Sequence, residues 1–146
     1  MTSFVALLAR GPRGLEAPQP VEFASLVLPR SPNTCLAAPE GQPGPKHVTS
    51  PILPGSLDAA FAAMLSLAET YPRTWRLASW PERRQAQWVE RTAWMNYPDL
   101  INAEIVPTPA GTSLYLYSRS LFGYSDLGVN AKRVERWLDG LAVALR

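Results

Sequence analysis

The apolar pattern of the chain predicts an α+β domain, an antiparallel sheet of four to five strands with two helices on one face, in the order β-α-β4-α. Three observations carry this reading. Leu57, Ala60, Phe61, Met64, Leu65 and Ala68 recur at helical spacing, and so do Val134, Trp137, Leu138, Leu141 and Leu145. Between those stripes lie four segments rich in Trp and branched residues, separated by turn-forming residues. Finally, ten of the fifteen prolines fall within the first 54 residues, which sets the N-terminal third apart from the rest.

Each proline fixes its own φ, lacks an N–H and pushes its predecessor toward extended backbone. Between Gly11 and Gly55 no helix longer than a turn or two is expected. Val21 to Leu28 can be extended, with Val21, Phe23, Leu26 and Leu28 free to pack against another surface. Residues 1–46 therefore read as an extended Pro-rich docking arm, and residues 47–146 as the α+β domain. Val48 to Leu53 suits a short strand closed by Pro54-Gly55. Ser56 offers an N-cap hydroxyl to the first helix, and Tyr71-Pro72 ends it.

The strand segments are Thr74 to Trp80, Gln85 to Met95, Leu100 to Val106 and Thr112 to Ser118. Pro81-Glu82-Arg83, Asn96-Tyr97-Pro98-Asp99 and Pro107-Thr108-Pro109-Ala110-Gly111 separate them with turn chemistry. Such short connections imply an antiparallel meander. In the last strand Leu114 and Leu116 face one way, Tyr115 and Tyr117 the other. The second helix spans about Asn130 to Leu145, with Lys132, Arg133, Glu135, Arg136 and Asp139 on its wet face. By analogy alone, this order resembles a reduced helix-grip fold, in which a curved sheet wraps the terminal helix around a cavity.

The bulk numbers narrow the function classes. The chain has 146 residues, 47% hydrophobic and 18% charged, which suits one globular domain with a modest core. A net charge of +2 is too small for a nucleic-acid binder, which shows a concentrated basic face. The single cysteine, Cys35, gives no sign of an oxidising compartment. The apolar run Phe4 to Ala9 lacks the flanks of a secretory signal, and no stretch approaches the roughly 20 apolar residues needed to span a bilayer. A cytoplasmic protein without a membrane span is expected.

No enzymatic constellation emerges. His47 is the only histidine and has no companion at metal-ligand spacing, so no metal site is expected. Cys35 has no basic partner nearby in sequence. Glu90 and Glu104 would form a carboxylate pair if they met on neighbouring strands, but charges on a sheet's wet face are the commoner arrangement. There is no P-loop and no dinucleotide fingerprint, and no cofactor is expected. Trp75, Trp80, Trp88 and Trp94 lie on the sheet segments and Trp137 on the closing helix. A small domain does not easily bury all five, and exposed Trp beside Arg is the composition of an interaction surface.

One stretch stands apart. Ser118-Arg119-Ser120-Leu121-Phe122-Gly123-Tyr124-Ser125-Asp126-Leu127-Gly128-Val129-Asn130-Ala131-Lys132-Arg133 combines glycines that permit unusual backbone with helix-start residues Ser125, Asp126 and Asn130. It reads either as a capped strand-to-helix turn or as an anion or carboxylate site built from helix-start amides with Arg119, Lys132 and Arg133. This stretch resembles the signature S-R-x-G-x-S-D-L-G-V-N-R-K-R of the bacterial and plastid family known as domain of unknown function 1499. Ser31-Pro32-Asn33 resembles that family's early S-P-N element, and Tyr97-Pro98-Asp99 its aromatic-Pro-Asp turn. Leu121 and Ala131 stand where the family commonly has basic residues, so any anion site built on those residues would be incomplete here.

The resemblance implies no agreed activity. The residues favour a non-catalytic accessory subunit whose arm docks on a larger protein complex. Because the family occurs in cyanobacteria, plastids and proteobacteria, the resemblance leans toward the cytoplasmic face of a membrane-bound energy-converting complex, with the protein peripheral to the inner membrane. The alternative is a small-ligand-binding domain or weak enzyme with a cavity between the sheet and the C-terminal helix. Trp75, Trp80, Trp88, Trp94 and the polar residues of the signature are the candidate binding residues in either case.

Overall fold

A computed structural model describes residues 4–123 and 125–146. Tyr124, inside the signature stretch, lies outside the described residues. The order of elements is α1 (Val5–Leu8), β1 (Thr34–Ala38), β2 (Val48–Thr49), α2 (Leu57–Ala68), β3 (Thr74–Trp80), β4 (Gln85–Arg91), β5 (Pro98–Thr108), β6 (Gly111–Ser120) and α3 (Val129–Ala144). The six strands form one sheet in the order β2-β1-β6-β5-β4-β3. β3 to β6 make the expected antiparallel meander, and β1 adds antiparallel to β6.

Several features differ from expectation. A third helix, the single turn α1, precedes the sheet, and the strand expected over Gln85 to Met95 ends at Arg91, where Thr92 to Tyr97 turn the chain. The sheet is mixed, because β1 and β2 pair in parallel. It also has six strands, because Thr34–Ala38 is a strand within the segment expected to be an arm. Between Asn33 and Ala38 the chain carries no proline, so every backbone N–H there is free to join a ladder. The boundary at residue 46 therefore does not separate arm from sheet, and removing residues 1–46 would take β1 out of it. The strand expected over Val48 to Leu53 is only two residues long. Pro51 cuts it short, and the chain then touches β6 through a single bridge between Leu53 and Thr112.

The helices pack where their stripes predict. Ser56 Oγ accepts from Ala59 N at 3.1 Å, capping α2. Ala60, Phe61, Met64 and Ala68 of α2 join Val134, Trp137, Leu138 and Leu141 of α3 over Trp88, Ile101, Ala103, Leu114 and Leu116 of the sheet. Both helices thus cover the same face. Gly140 lets them approach: a Cβ there would stand 2.7 Å from Tyr71 Oη and 3.2 Å from Leu67. A glycine inside a helix is intrinsically unfavourable by roughly 0.5–1 kcal/mol relative to alanine, so close packing accounts for its place.

The opposite face of the sheet is covered by the chain's own N-terminal segment. Phe23 stacks on Tyr115, with ring centroids 4.6 Å apart and planes at 3°. Around this pair Leu36, Ala38 and Tyr117 form a second apolar cluster with Val21, Leu26 and Leu28. The side chain of Gln85 pairs with the backbone of Val21 like a neighbouring strand, accepting from Val21 N at 2.6 Å and donating to Val21 O at 3.0 Å.

The beginning of the segment is held by one buried guanidinium. Arg91 donates to the carbonyls of Ala6 (2.5 Å), Gly11 (2.8 Å), Arg13 (2.8 Å) and Asn96 (3.2 Å). Asn96, in left-handed backbone with φ 55°, adds bonds to the carbonyls of Leu7 and Ala9. Burial pushes the Arg91 pKa below its ordinary value, but a guanidinium stays charged in proteins, and here carbonyl dipoles satisfy it. Arg91→Ala is expected to release residues 4–13 while the sheet stays folded, at a cost of about 1–3 kcal/mol. Limited trypsin digestion checks this: cleavage after Arg10 and Arg13 should accelerate about tenfold or more.

Candidate functional site

The register of the strands sets two carboxylates side by side. Glu90 of β4 lies directly opposite Asp99 of β5, and both point to the helical face. Like charges opposite one another on a sheet destabilise it. Arg133 of α3, 4% exposed, enters between them, with Nη2 at 2.9 Å from Glu90 Oε2 and Nη1 at 2.9 Å from Asp99 Oδ2. Arg136 reaches Glu90 Oε1 from the rim at 3.0 Å. For Asp99, burial dominates and lifts the pKa above the ordinary carboxylate range, although Arg133 opposes it. Burial alone would lower the Arg133 pKa, but its bond to Glu90 and the charges of both acids more than offset this and raise it. The acid thus stays raised beside its own cation because burial outweighs the pull of Arg133, and the neighbouring Glu90 charge adds to the rise.

Asn130 is the hub beside this triad. Its Oδ1 accepts from Ser118 Oγ (2.6 Å) and Arg133 Nη1 (2.8 Å). Its Nδ2 donates to Asn33 O (3.0 Å), Ser120 Oγ (2.9 Å) and Asp126 Oδ2 (2.6 Å). Asn33 Nδ2 in turn donates to Gly123 O at 2.7 Å. Asp126 closes the ring by accepting from the backbone amides of Gly128 (2.8 Å) and Asn130 (3.0 Å). Burial would raise its pKa, yet the bonds from Asn130 and Gly128 outweigh that and lower it. Gly128 stands immediately before α3 with φ 84°. A Cβ there would meet nothing within 4 Å among the described residues, and the positive φ makes the demand conformational.

Ser31-Pro32-Asn33, Tyr97-Pro98-Asp99 and the Ser118-to-Arg133 stretch, far apart in sequence, thus converge on one buried network. The family model described as "Protein of unknown function (DUF1499)" matches residues 27–141. The chain belongs to the DUF1499 family. A search of the curated proteins returns no match. Among solved structures, a protein from Mesorhizobium loti superposes with a TM-score of 0.52 at 11% identity, covering 77% of this chain and 96% of its own. An uncharacterised protein from Rhizobium leguminosarum superposes with a TM-score of 0.51 at 12% identity, covering 77% and 93%. At such identities the likeness shows the fold alone.

In this DUF1499 domain the network adjoins an open recess of about 470 Å³. Its walls are mostly apolar: Leu7 of α1, Tyr97, Phe122, Leu127 and Val129, with Asp99, Ser120, Ser125 and Asp126 at its polar edge. Tyr97 and Phe122 stack at 6.2 Å. The segments that contribute Leu7, Thr92, Tyr97 and Leu127 to the recess also expose Phe4, Val5 and Leu8 of the N-terminal turn and Trp94 and Met95 of the turn after β4, and Leu127 is itself exposed. Trp94 is 96% exposed.

The candidate residues separate clearly. Arg133, expected on the wet face of α3, is buried, because its position faces Glu90 and Asp99 on the sheet. The helix-start amides expected to bind an anion are engaged by Asp126. Lys132 is exposed and stands outside the network. Ser125 Oγ accepts from Leu127 N at 3.4 Å at the edge of the recess. Arg119 points to the other face of the sheet, as does Glu104, which accepts from Gln85 at 2.6 Å. Glu90 and Glu104 are therefore on opposite faces, and the carboxylate that Glu90 meets is Asp99.

Of the tryptophans, Trp88 is core, Trp80 half-buried, and Trp75 lies against the backbone of Gly11. Only Trp94 stands free in solvent among the four on the sheet segments. His47 Nδ1 accepts from Leu36 N at 2.9 Å, and Cys35 is buried, with its pKa raised by that burial and by the Asp126 charge. Among the described residues no group of three His, Cys, Asp or Glu side chains gathers as metal ligands, and no helix is long and apolar enough to cross a membrane. Sequence reasoning missed Asp99 and Arg91 as organising residues. A signal for the triad was present, since Glu90 continues the inward alternation of Ala86 and Trp88, and a charge in that position calls for a buried partner.

Proposed function

We propose that this domain is a non-catalytic interaction module that docks on a larger protein assembly through the apolar end formed by α1, the turn after β4 and the Leu127–Val129 segment. The observation that carries this reading is Trp94, 96% exposed in the turn between Thr92 and Tyr97, two residues that line a mostly apolar recess with Leu7 and Leu127. Contiguous exposed apolar surface marks interaction sites, and Trp is the residue most enriched among binding hot spots. The ionic groups nearby support a binding role over catalysis. Glu90 and Asp99 are tied to Arg133, and Asp126 to backbone amides, so each is held by the fold.

The test is capture of partners from native membranes and cytosol with the full chain and with Trp94→Ser. Trp94 makes no core contact, so the variant should melt like the wild type while losing about tenfold or more in partner affinity. Equal capture by both would overturn the reading. A second reading, an apolar small ligand in the recess, is favoured by the volume, which falls within the range of ligand pockets. Native mass spectrometry of the protein purified from its own cells distinguishes the two: a bound small molecule displaced in Leu127→Glu supports the second.

A further inference from the structure

On the face of the sheet opposite the helices, the N-terminal segment does not seal against the strands throughout. Between residues 15–21 and strands β4 to β6 it leaves a cleft of about 390 Å³. Its floor includes Gln87 and Asn102, directly opposite each other on β4 and β5, and its wall includes Arg119 of β6. Asn102 is 1% exposed. Its Oδ1 accepts from Gln87 Nε2 at 3.2 Å, which fixes the amide, and its Nδ2 is buried with no acceptor among the described residues. A buried donor left without a partner is unfavourable, so a donor held in this state at the floor of a cleft is placed to meet an acceptor from outside the chain. Arg119 is half-exposed, and no carboxylate among the described residues stands within ion-pair distance of it, whereas Arg133 and Arg136 are both paired. Glu16, which also lines the cleft, is engaged within the chain.

We infer that this cleft binds a small amphipathic carboxylate, its carboxyl group taken by the guanidinium of Arg119 and the Nδ2 of Asn102, and its apolar part by the walls. A guanidinium fork matches a carboxylate in bidentate geometry, and an adjoining amide donor completes the set. The apolar part of the walls includes Leu15, Val21, Leu100 and Leu121, with the polar Gln19 also on the lining. A second cleft of about 510 Å³ shares Val21 and Arg119 with the first and continues along Leu26 and Leu28, giving an apolar tail a place to lie. The inference is independent of the docking end, which uses other residues on another part of the molecule.

Hexanoate is the probe. Titrated into the ¹⁵N-labelled full chain, it should shift the side-chain amide resonances of Asn102 and the Nε–H of Arg119 saturably. Arg119→Gln should weaken binding by about tenfold or more with the rest of the spectrum unchanged. Leu121→Glu, which sets a like charge on the wall, should do the same without touching either donor. No saturable shift with hexanoate, equal binding of hexanol, or unaltered affinity in both variants would overturn the assignment. Inorganic phosphate binding as tightly as hexanoate would also overturn it, by showing a charge site indifferent to the apolar walls.

Discussion

Arg133→Ala is expected to destabilise the domain by about 3–5 kcal/mol, the range found when one member of a buried ion pair is removed. The size follows from what stays behind. Glu90 and Asp99 remain opposite each other on β4 and β5, and the cation between them is gone. Arg136 still reaches Glu90, but it sits at the rim, half in water, and cannot replace a buried charge. Ser118 Oγ and Asn130 Oδ1 also lose a donor.

Chemical denaturation at neutral pH measures the loss. Arg133→Met should do no better, because restored volume does not neutralise two carboxylates. Replacing Glu90 by Gln and Asp99 by Asn in the Arg133→Met background should recover much of the stability, since the charges are then removed. Arg133→Ala melting within a degree or two of wild type, or no recovery in the triple variant, would show that the triad does not hold α3 to the sheet.

Trp137→Ala is expected to be of similar size, about 3–5 kcal/mol, through a different mechanism. Trp137 is 2% exposed, edge-on to Trp88 at 5.2 Å and tilted on Tyr71 at 5.3 Å. It therefore ties α3 to the sheet and to the end of α2 at once. Alanine would leave a cavity among rigid aromatic rings, which collapse poorly around a void. The indole Nε1 is itself buried with no acceptor among the described residues, so the ring contributes through packing and not through a hydrogen bond. Trp137→Phe should accordingly lose much less than Trp137→Ala, because it keeps an aromatic face and removes an unsatisfied donor. Thermal melts of the two variants side by side make the comparison, and equal losses would point to a hydrogen-bonding role for the indole.

The helices and the four-strand meander were legible in the sequence because their signals are local. Ser56, the stripe from Leu57 to Ala68 and Tyr71-Pro72 mark a helix start, face and end within seventeen residues, and the helix runs over Leu57–Ala68. Thr74–Trp80 was legible as a strand to the residue, since alternation and turn chemistry need no distant partner. The burial of Trp137 followed from helical spacing alone.

What tertiary structure decided is every contact made across the sheet. Thr34–Ala38 is too short and too closely framed by prolines to declare itself a strand, and it becomes one because β6 offers an open edge. Arg133 is a fair surface residue by composition and spacing. Only the strand register, which sets Glu90 against Asp99, makes it a buried counter-ion. Arg91 and Asn102 are unremarkable in sequence because their roles depend on which backbone or cleft lies over them. The N-terminal segment illustrates the same point: its prolines do rule out long helices, as the sequence reading holds, but they say nothing about which surface an extended chain will cover. That choice came from Phe23 meeting Tyr115 and from Gln85 presenting an amide to Val21, pairings between residues more than sixty positions apart, which no local pattern encodes.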